Sequence, residues 1–265
     1  MNNTICFLDT EFNAFDSPGQ NDGFQEITEI GAVVFCNGKV KDKFSRYCKI
    51  KKGHKLSKKC RRITGIDGDV LNKHGIPFSD AMNELIFFLE RNHVSKIFAF
   101  GPADAIELRH TAKLNNVDKH IYNVINKIKN VYPIFENILS LHYVFSLTDI
   151  CRICCINHEK AHSAINDAED TGLAFYNMKM GKIDKQLLIE LNTHKNNVRI
   201  YRKNRSVCLA TIKGPNFVDN DFIEKLDIIF KNAEERVGTP VIRAMHDDMM
   251  RIIGRPDLEI GEENL

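Results

Sequence analysis

Asp9 and Glu11 close the stretch Ile5-Cys6-Phe7-Leu8-Asp9-Thr10-Glu11-Phe12, whose four leading apolar residues read as a strand buried on both faces. Two acids two positions apart in extended chain leave the same face. Carboxylates held side by side at the end of a buried strand repel each other and resist desolvation, unless a cation neutralises them or their pKa values rise. Hard oxygen donors favour Mg²⁺ or Mn²⁺ over zinc, which prefers nitrogen and sulfur. Alone, the pair fits a solvated acidic turn better than a metal site. Partners elsewhere in the chain must decide between the two.

Two later segments supply such partners. Asp104 falls in the first turn of a helix that Gly101-Pro102 opens after the apolar strand Ile97-Phe98-Ala99-Phe100. Free amides in that first turn support an ionised carboxylate. His162-Ser163-Ala164-Ile165-Asn166-Asp167-Ala168 begins a strong helix expected over Ser163 to Met180. Five helical residues turn through about 500°, so His162 and Asp167 would diverge by roughly 140° if both were helical. His162 is therefore expected on the preceding loop, above a site to which Asp167 is fixed. Glu169 and Asp170 compete with Asp167 for the third carboxylate, although acids in a first helical turn also serve the helix dipole.

The elements that must position these groups read as follows. Asn13 to Gly23 is a loop with Pro18 and two glycines, and Glu26 to Phe35 is a second strand. Asn37-Gly38 separates it from a third extended run, Lys39 to Ile50, and favours a type I′ hairpin. Strands two and three are then antiparallel, against a fully parallel dinucleotide-binding sheet. Leu56 to Ile63 is a short helix that Gly65 ends. Ser79 is placed to cap a longer one whose Ala81, Leu85, Phe88 and Leu89 share a side. A short strand over Ile128 to Val131, a helix over Pro133 to His142 and helical spacing of Leu147, Ile150, Cys151 and Cys154 complete the series. A mixed α/β sheet with an antiparallel meander and packed helices follows. Beyond Gly181 the character changes: a polar, basic run from Lys195 to Arg205, a strand-like Val207 to Ile212, and helices over 219–236 and 240–253. This divides the chain into residues 1–180 and a mainly helical extension, 181–265.

The 265 residues carry a formal charge of only +2, but unevenly. Between Lys49 and Arg62 there are eight bases and no acid, a run that suits a polyanion or a solvated surface. No apolar stretch approaches the roughly 20 residues that cross a bilayer, and the N-terminus lacks a basic, apolar leader. Eight cysteines without secretory features are expected as reduced thiols in the cytoplasm.

Asp9 and Glu11, then Asp104, then His162-x-Ala164-x-x-Asp167-Ala168 resemble the three motifs of the DEDDh 3′-to-5′ exonuclease superfamily, also called RNase T/DnaQ-like. Glu29-Ile30-Gly31-Ala32-Val33 and Ile63-Thr64-Gly65-Ile66 are similar to further parts of it. Leu56-Ser57 and Gly23-Phe24-Gln25-Glu26-Ile27 look most like its KapD and enhanced-RNAi exonuclease branch. The resemblance covers residues 4 to 180 and implies an RNase H-like fold. It also implies two Mg²⁺ or Mn²⁺ ions about 3.5 to 4 Å apart, held by Asp9, Glu11 and Asp167, with Asp104 bound directly or through water. His162 would take the attacking water's proton. The expected substrate is the 3′ end of single-stranded nucleic acid, RNA before DNA, with nucleoside 5′-monophosphates as products. Phe12 would pack on the terminal sugar or base, if it does not belong to the core. Lys58, Lys59 and Arg62, just before the Thr64-Gly65-Ile66 turn, would hold backbone phosphates.

Two other readings come from the same residues. Cys151-x-x-Cys154-Cys155-x-x-His158 has zinc-ligand types, but Leu147, Ile150, Cys151 and Cys154 also make an ordinary buried helix face, and no second cysteine pair follows. His158 is expected at the surface of a loop. A binding or scaffolding protein would keep the fold without turnover, and residues 181–265 would then form homo-oligomer or protein-partner contacts.

Overall fold

The computed structural model describes residues 4–14, 16, 25–158, 162–196 and 199. Its contacts divide the chain into two compact units, Met1–Asp184 and Lys185–Leu265. In the second, residues 185–196 are helical. The expected strand 207–212 and helices 219–236 and 240–253 lie outside the described residues.

In the first unit, strands β1 (Thr4–Phe12), β2 (Ile27–Cys36), β3 (Lys39–Tyr47), β4 (Lys96–Ala99) and β5 (Ile128–Asn130) form one sheet in the order β3-β2-β1-β4-β5. β1 pairs antiparallel with β2, and β2 with β3; β1 and β4, and β4 and β5, run parallel. Asn37 and Gly38 both take positive φ, 50° and 81°, as a type I′ hairpin requires. β1 and β2 are buried nearly throughout, while the edge strand β3 is largely exposed and polar. This contrast explains why the central strands read as apolar runs.

Helices cover both faces. On one, Cys6, Leu8, Ala32, Val34 and Phe44 share a core with α3 (Phe78–Arg91), α4 (Ala103–Leu114) and α5 (Lys119–Ile125). On the other, Phe7, Phe35 and Phe98 meet Phe175 and Tyr176 of α8 (Ala164–Lys179) in an aromatic cluster. Helices α1 (Lys58–Thr64), α2 (Gly68–His74), α6 (Tyr132–Leu139) and α7 (Leu147–Ile153) lie between these elements in the chain.

Local chemistry sets the helix ends. Ser57 caps α1 by accepting from the Cys60 N–H, and Gly65 ends it in the left-handed region at φ 71°. Ser146 and Asp149 form a reciprocal capping box on α7. Ser79 does not cap α3. That helix starts earlier, with Pro77 at its N-cap, and the Ser79 hydroxyl lies 3.2 Å from an Asp80 carboxylate oxygen instead. Asp67 caps α2, an element that the sequence pattern did not reveal. Among the described residues, no helix is long and apolar enough to cross a membrane, and the cysteines are free.

Candidate active site

The site forms where β1 and β4, running parallel, end on the same edge of the sheet. Asp9 pairs with Gly31 across the β1–β2 ladder, and Glu11 with Glu29. A Cβ on Gly31 would lie 2.2 Å from the Ala164 backbone, so this face of the sheet lies directly under the start of α8. Asp9 and Glu11 share that face with Phe7, whose ring centroid is 5.3 Å from that of Phe175. Thr10 points the other way. Its amide and hydroxyl donate to Asp104 Oδ1 at 2.9 and 2.8 Å, which ties the first turn of α4 to β1.

α8 begins without a side-chain cap from Ser163. The Ala164 N–H donates instead to Glu29 Oε2 at 3.3 Å, and the Ser45 hydroxyl donates to Glu29 Oε1 at 3.1 Å. Glu29 thus caps α8 from across the sheet and fixes the helix that carries Asp167. Its place at the end of an apolar strand was the same signal that marked Asp9, yet the sequence reading gave it no site role. His162 precedes the helix at φ 66°, and its N–H donates to Asp167 Oδ2 at 3.2 Å. Its ring is exposed, and Glu11, His162 and Asp167 present donor atoms within 4.8 Å of one another.

Five carboxyl groups therefore crowd one buried edge. Burial pushes Asp9 well above the usual carboxylate range, and Asp104, Asp167, Glu11 and Glu29 raise it further by repulsion. Burial, then Asp167, Glu29 and Asp104, bring Glu11 to about 8. Asp104 reaches about 6, again through burial first, with the Thr10 hydrogen bonds opposing the rise. Asp167 and Glu29 are raised for the same leading reason. Among the described residues, Asp167 Oδ1 is buried without a hydrogen-bond partner. A set of oxygen donors with one orphaned carboxylate oxygen fits a hard divalent cation, which would relieve both the repulsion and the desolvation.

The other predicted residues fall at the margin. Lys58, Lys59 and Arg62 are exposed on α1 and line a cavity of about 250 Å³ with Asp16. Asp16 accepts from the Lys58 and Lys59 amides at 2.8 and 2.9 Å, which holds its carboxyl below the usual range. Glu11 is among the charges acting on Cys60, so α1 stands beside the acids. Phe12 is partly buried against the core cluster. Ile66 is 4% exposed, so its side chain offers a substrate little surface. Glu169 pairs with Lys43 on β3 and Asp170 with His158, which occupies both alternatives to Asp167. The expected surface position of His158 is corrected: its side chain is 4% exposed, with Nδ1 2.8 Å from Asp170 Oδ2 and Nε2 3.9 Å from Asp167 Oδ1.

The chain belongs to the exonuclease (RNase T) family, whose pattern it matches over residues 6–175. The 3′-5′ exonuclease DinG of Bacillus subtilis (strain 168) is 26% identical over 161 residues, 60% of this chain and 16% of that protein. A PolC-type DNA polymerase III of Halalkalibacterium halodurans is 24% identical over 224 residues, 77% of this chain and 14% of that one. The chain thus spans less than a fifth of either curated relative. Among solved structures, the nuclease domain of 3′hExo, a DEDDh family member bound to rAMP, superimposes with a TM-score of 0.59 at 17% identity, covering 69% of this chain and 96% of that one. E. coli Exonuclease I in complex with a dA16 oligonucleotide gives 0.55 at 17% identity, over 74% and 44%. The mixed sheet with flanking helices is the RNase H-like exonuclease fold.

Proposed function

We propose that the protein is a metal-dependent 3′-to-5′ exonuclease that shortens single-stranded nucleic acid and releases nucleoside 5′-monophosphates. The observation that carries this reading is the buried cluster of Asp9, Glu11, Asp104 and Asp167, with the orphaned Asp167 Oδ1 inside it and His162 on its rim. Asp9, Glu11 and Asp167 would hold two Mg²⁺ or Mn²⁺ ions, with Asp104 anchored by Thr10 in support. Such ions, when bound, lower the pKa of water and offset charge on the scissile phosphate. The chain's own residues do the remainder. His162, exposed at the rim of the acids, would accept the proton of an attacking water. Phe12, the last residue of β1 and only partly buried against the core, would meet the terminal sugar or base, and Lys58, Lys59 and Arg62 would offer charge to the backbone phosphates of the strand.

RNA is the preferred substrate in this reading, because Leu56-Ser57 and the approach to β2 resemble the KapD and enhanced-RNAi branch. The named ligands of similar structures divide, with a histone mRNA stem-loop for a 3′-exonuclease and dA16 for Exonuclease I. A cytoplasmic setting accords with the free cysteines. Residues 181–265 are assigned to homo-oligomer or protein-partner contacts.

The test is digestion of 5′-labelled single-stranded RNA and DNA of one sequence with Mg²⁺, Mn²⁺ or EDTA. A metal-dependent ladder receding from the 3′ end is expected, faster on RNA and absent in Asp9→Ala. Binding without cleavage would favour a nucleic-acid-binding protein of the same fold.

A further inference from the structure

Behind the acidic cluster the fold assembles a second group of donors of a different chemical kind. Cys151 on α7, His158 on the loop that follows, and Asp170 on α8 present Sγ, a ring nitrogen and a carboxylate oxygen within 4.8 Å of one another. Cys151 is fully buried, and the His158 side chain is 4% exposed. The backbone builds this convergence. After α7 the chain reverses at Cys155, φ 56°, and the Ile156 N–H donates to the Cys151 carbonyl at 2.8 Å, which sends His158 back toward the helix. Asn177 Nδ2 donates to the Cys154 carbonyl at 2.8 Å and locks the end of α7 to α8. The Asp170–His158 contact of 2.8 Å then holds two of the three donors together across the gap between loop and helix.

From this convergence we infer that Cys151, His158 and Asp170 form a zinc site adjoining the acidic cluster, with His158 between the two and water in the fourth position. Sulfur, imidazole nitrogen and a carboxylate oxygen are zinc's ligand set, whereas Mg²⁺ takes oxygen and avoids thiolate. One thiolate and one carboxylate balance the charge of a divalent ion, so the occupied site carries no net charge into the interior. Binding replaces the Cys151 S–H bond by a sulfur–metal bond and releases that proton to solvent. Burial keeps the thiol protonated otherwise. The finger-like spacing of Cys151, Cys154, Cys155 and His158 thus contributes its first and last members, and Asp170, 12 residues beyond His158, joins them as the third. The ion would clamp α7 at Cys151, the chain that follows it at His158, and α8 at Asp170, three residues beyond Asp167.

The experiment uses the full chain, stripped with chelator and titrated with Co²⁺ as a spectroscopic probe. The expected result is a thiolate-to-cobalt absorption in the near ultraviolet that saturates at about one equivalent per chain and is displaced by Zn²⁺. The band is lost in Cys151→Ser and weakened in Asp170→Asn and His158→Gln. It persists in Cys155→Ser and in Asp9→Ala, whose altered cluster contains no sulfur. Absence of the band in the unaltered chain, or its survival in a folded Cys151→Ser, overturns the inference. Where Cys151→Ser fails to fold, an undiminished band in both other variants does so. The readout is absorption without substrate, so it stands or falls separately from nuclease activity.

Discussion

Each candidate catalytic group in this protein has its properties set by a neighbour. The His162 amide donates a hydrogen bond to Asp167, which holds the residue at the head of α8, and its ring remains exposed. His162→Ala is expected to lower kcat by about 10²–10⁴-fold with little change in KM, the signature of a lost proton acceptor. Steady-state kinetics on a 3′-labelled oligonucleotide would show it, and a change in KM alone would count against the assignment. Asp9→Ala should lower cleavage by at least ~10³-fold, through loss of several kcal/mol of electrostatic stabilisation. The acids also predict how metal-free stability varies with pH. Glu11 rises from an ordinary 4.5 to about 8, and Asp104 from 3.8 to about 6. Between these values the folded state holds protons that the unfolded chain has released. Their contribution is therefore complete below the ordinary values and is lost as pH rises through the folded ones. In EDTA, the melting temperature should fall between about pH 5 and pH 8, and saturating Mg²⁺ should recover most of the loss at the upper end. Calorimetry at three pH values checks this; a metal-free melting temperature that climbs across the window would sink it.

At the scale of elements, the decisive contact is the close approach of α8 to β2. Gly31 lets the Ala164 backbone within a distance that a methyl group would occupy, and Gly172 meets the Phe35 ring in the same way. Gly31→Ala must displace either the helix or the strand, because its neighbour is backbone and cannot rotate aside. We expect a loss of about 1–3 kcal/mol in stability and a larger relative loss of cleavage, since Asp167 and His162 travel with the helix. Gly65→Ala makes the contrast. Among the described residues nothing lies within 4 Å of a Cβ added there, but φ is 71°, so strain of about 1–2 kcal/mol is expected without disturbance of the acids. Urea unfolding and initial rates on both variants separate the two effects. Asn13 and Glu26 brace the opposite margin. Asn13 bonds Ser57 and Lys55, while Glu26 takes the Lys51 amide and His54, and together they hold the basic segment against the sheet.

At the scale of the whole molecule, the near-neutral net charge conceals opposed surfaces, acids at the strand ends and bases along α1. Replacing Lys58, Lys59 and Arg62 together by Ala should weaken binding and flatten the dependence of log K on log salt by about 2, given roughly 0.7 per phosphate contact on a single strand. Fluorescence anisotropy on a catalytically silent Asp9→Ala background provides the measurement. An unchanged slope would remove these three residues from the substrate path. The candidate site residues all lie in the unit Met1–Asp184, so a chain ending at Asp184 should keep its cleavage rate. Sedimentation of the two forms then reports on association through residues 185–265.

Much of this was legible in the sequence because it is local. The period of apolar residues announced β1, β2 and α8, Asn37-Gly38 announced the hairpin, and the spacing of Asp9, Glu11, Asp104, His162 and Asp167 announced the family. Turn, cap and pattern signals act over a few residues, so they survive in one dimension. What the tertiary structure alone decided are the meetings between distant positions. Glu29 caps a helix 135 residues away, Thr10 steadies Asp104 across 94, and His158 is buried on Asp170 although its neighbours read as loop. Burial and electrostatic coupling depend on distance in space, and a carboxylate's pKa or a cysteine's ligand partners are set by residues that sequence order does not place beside it.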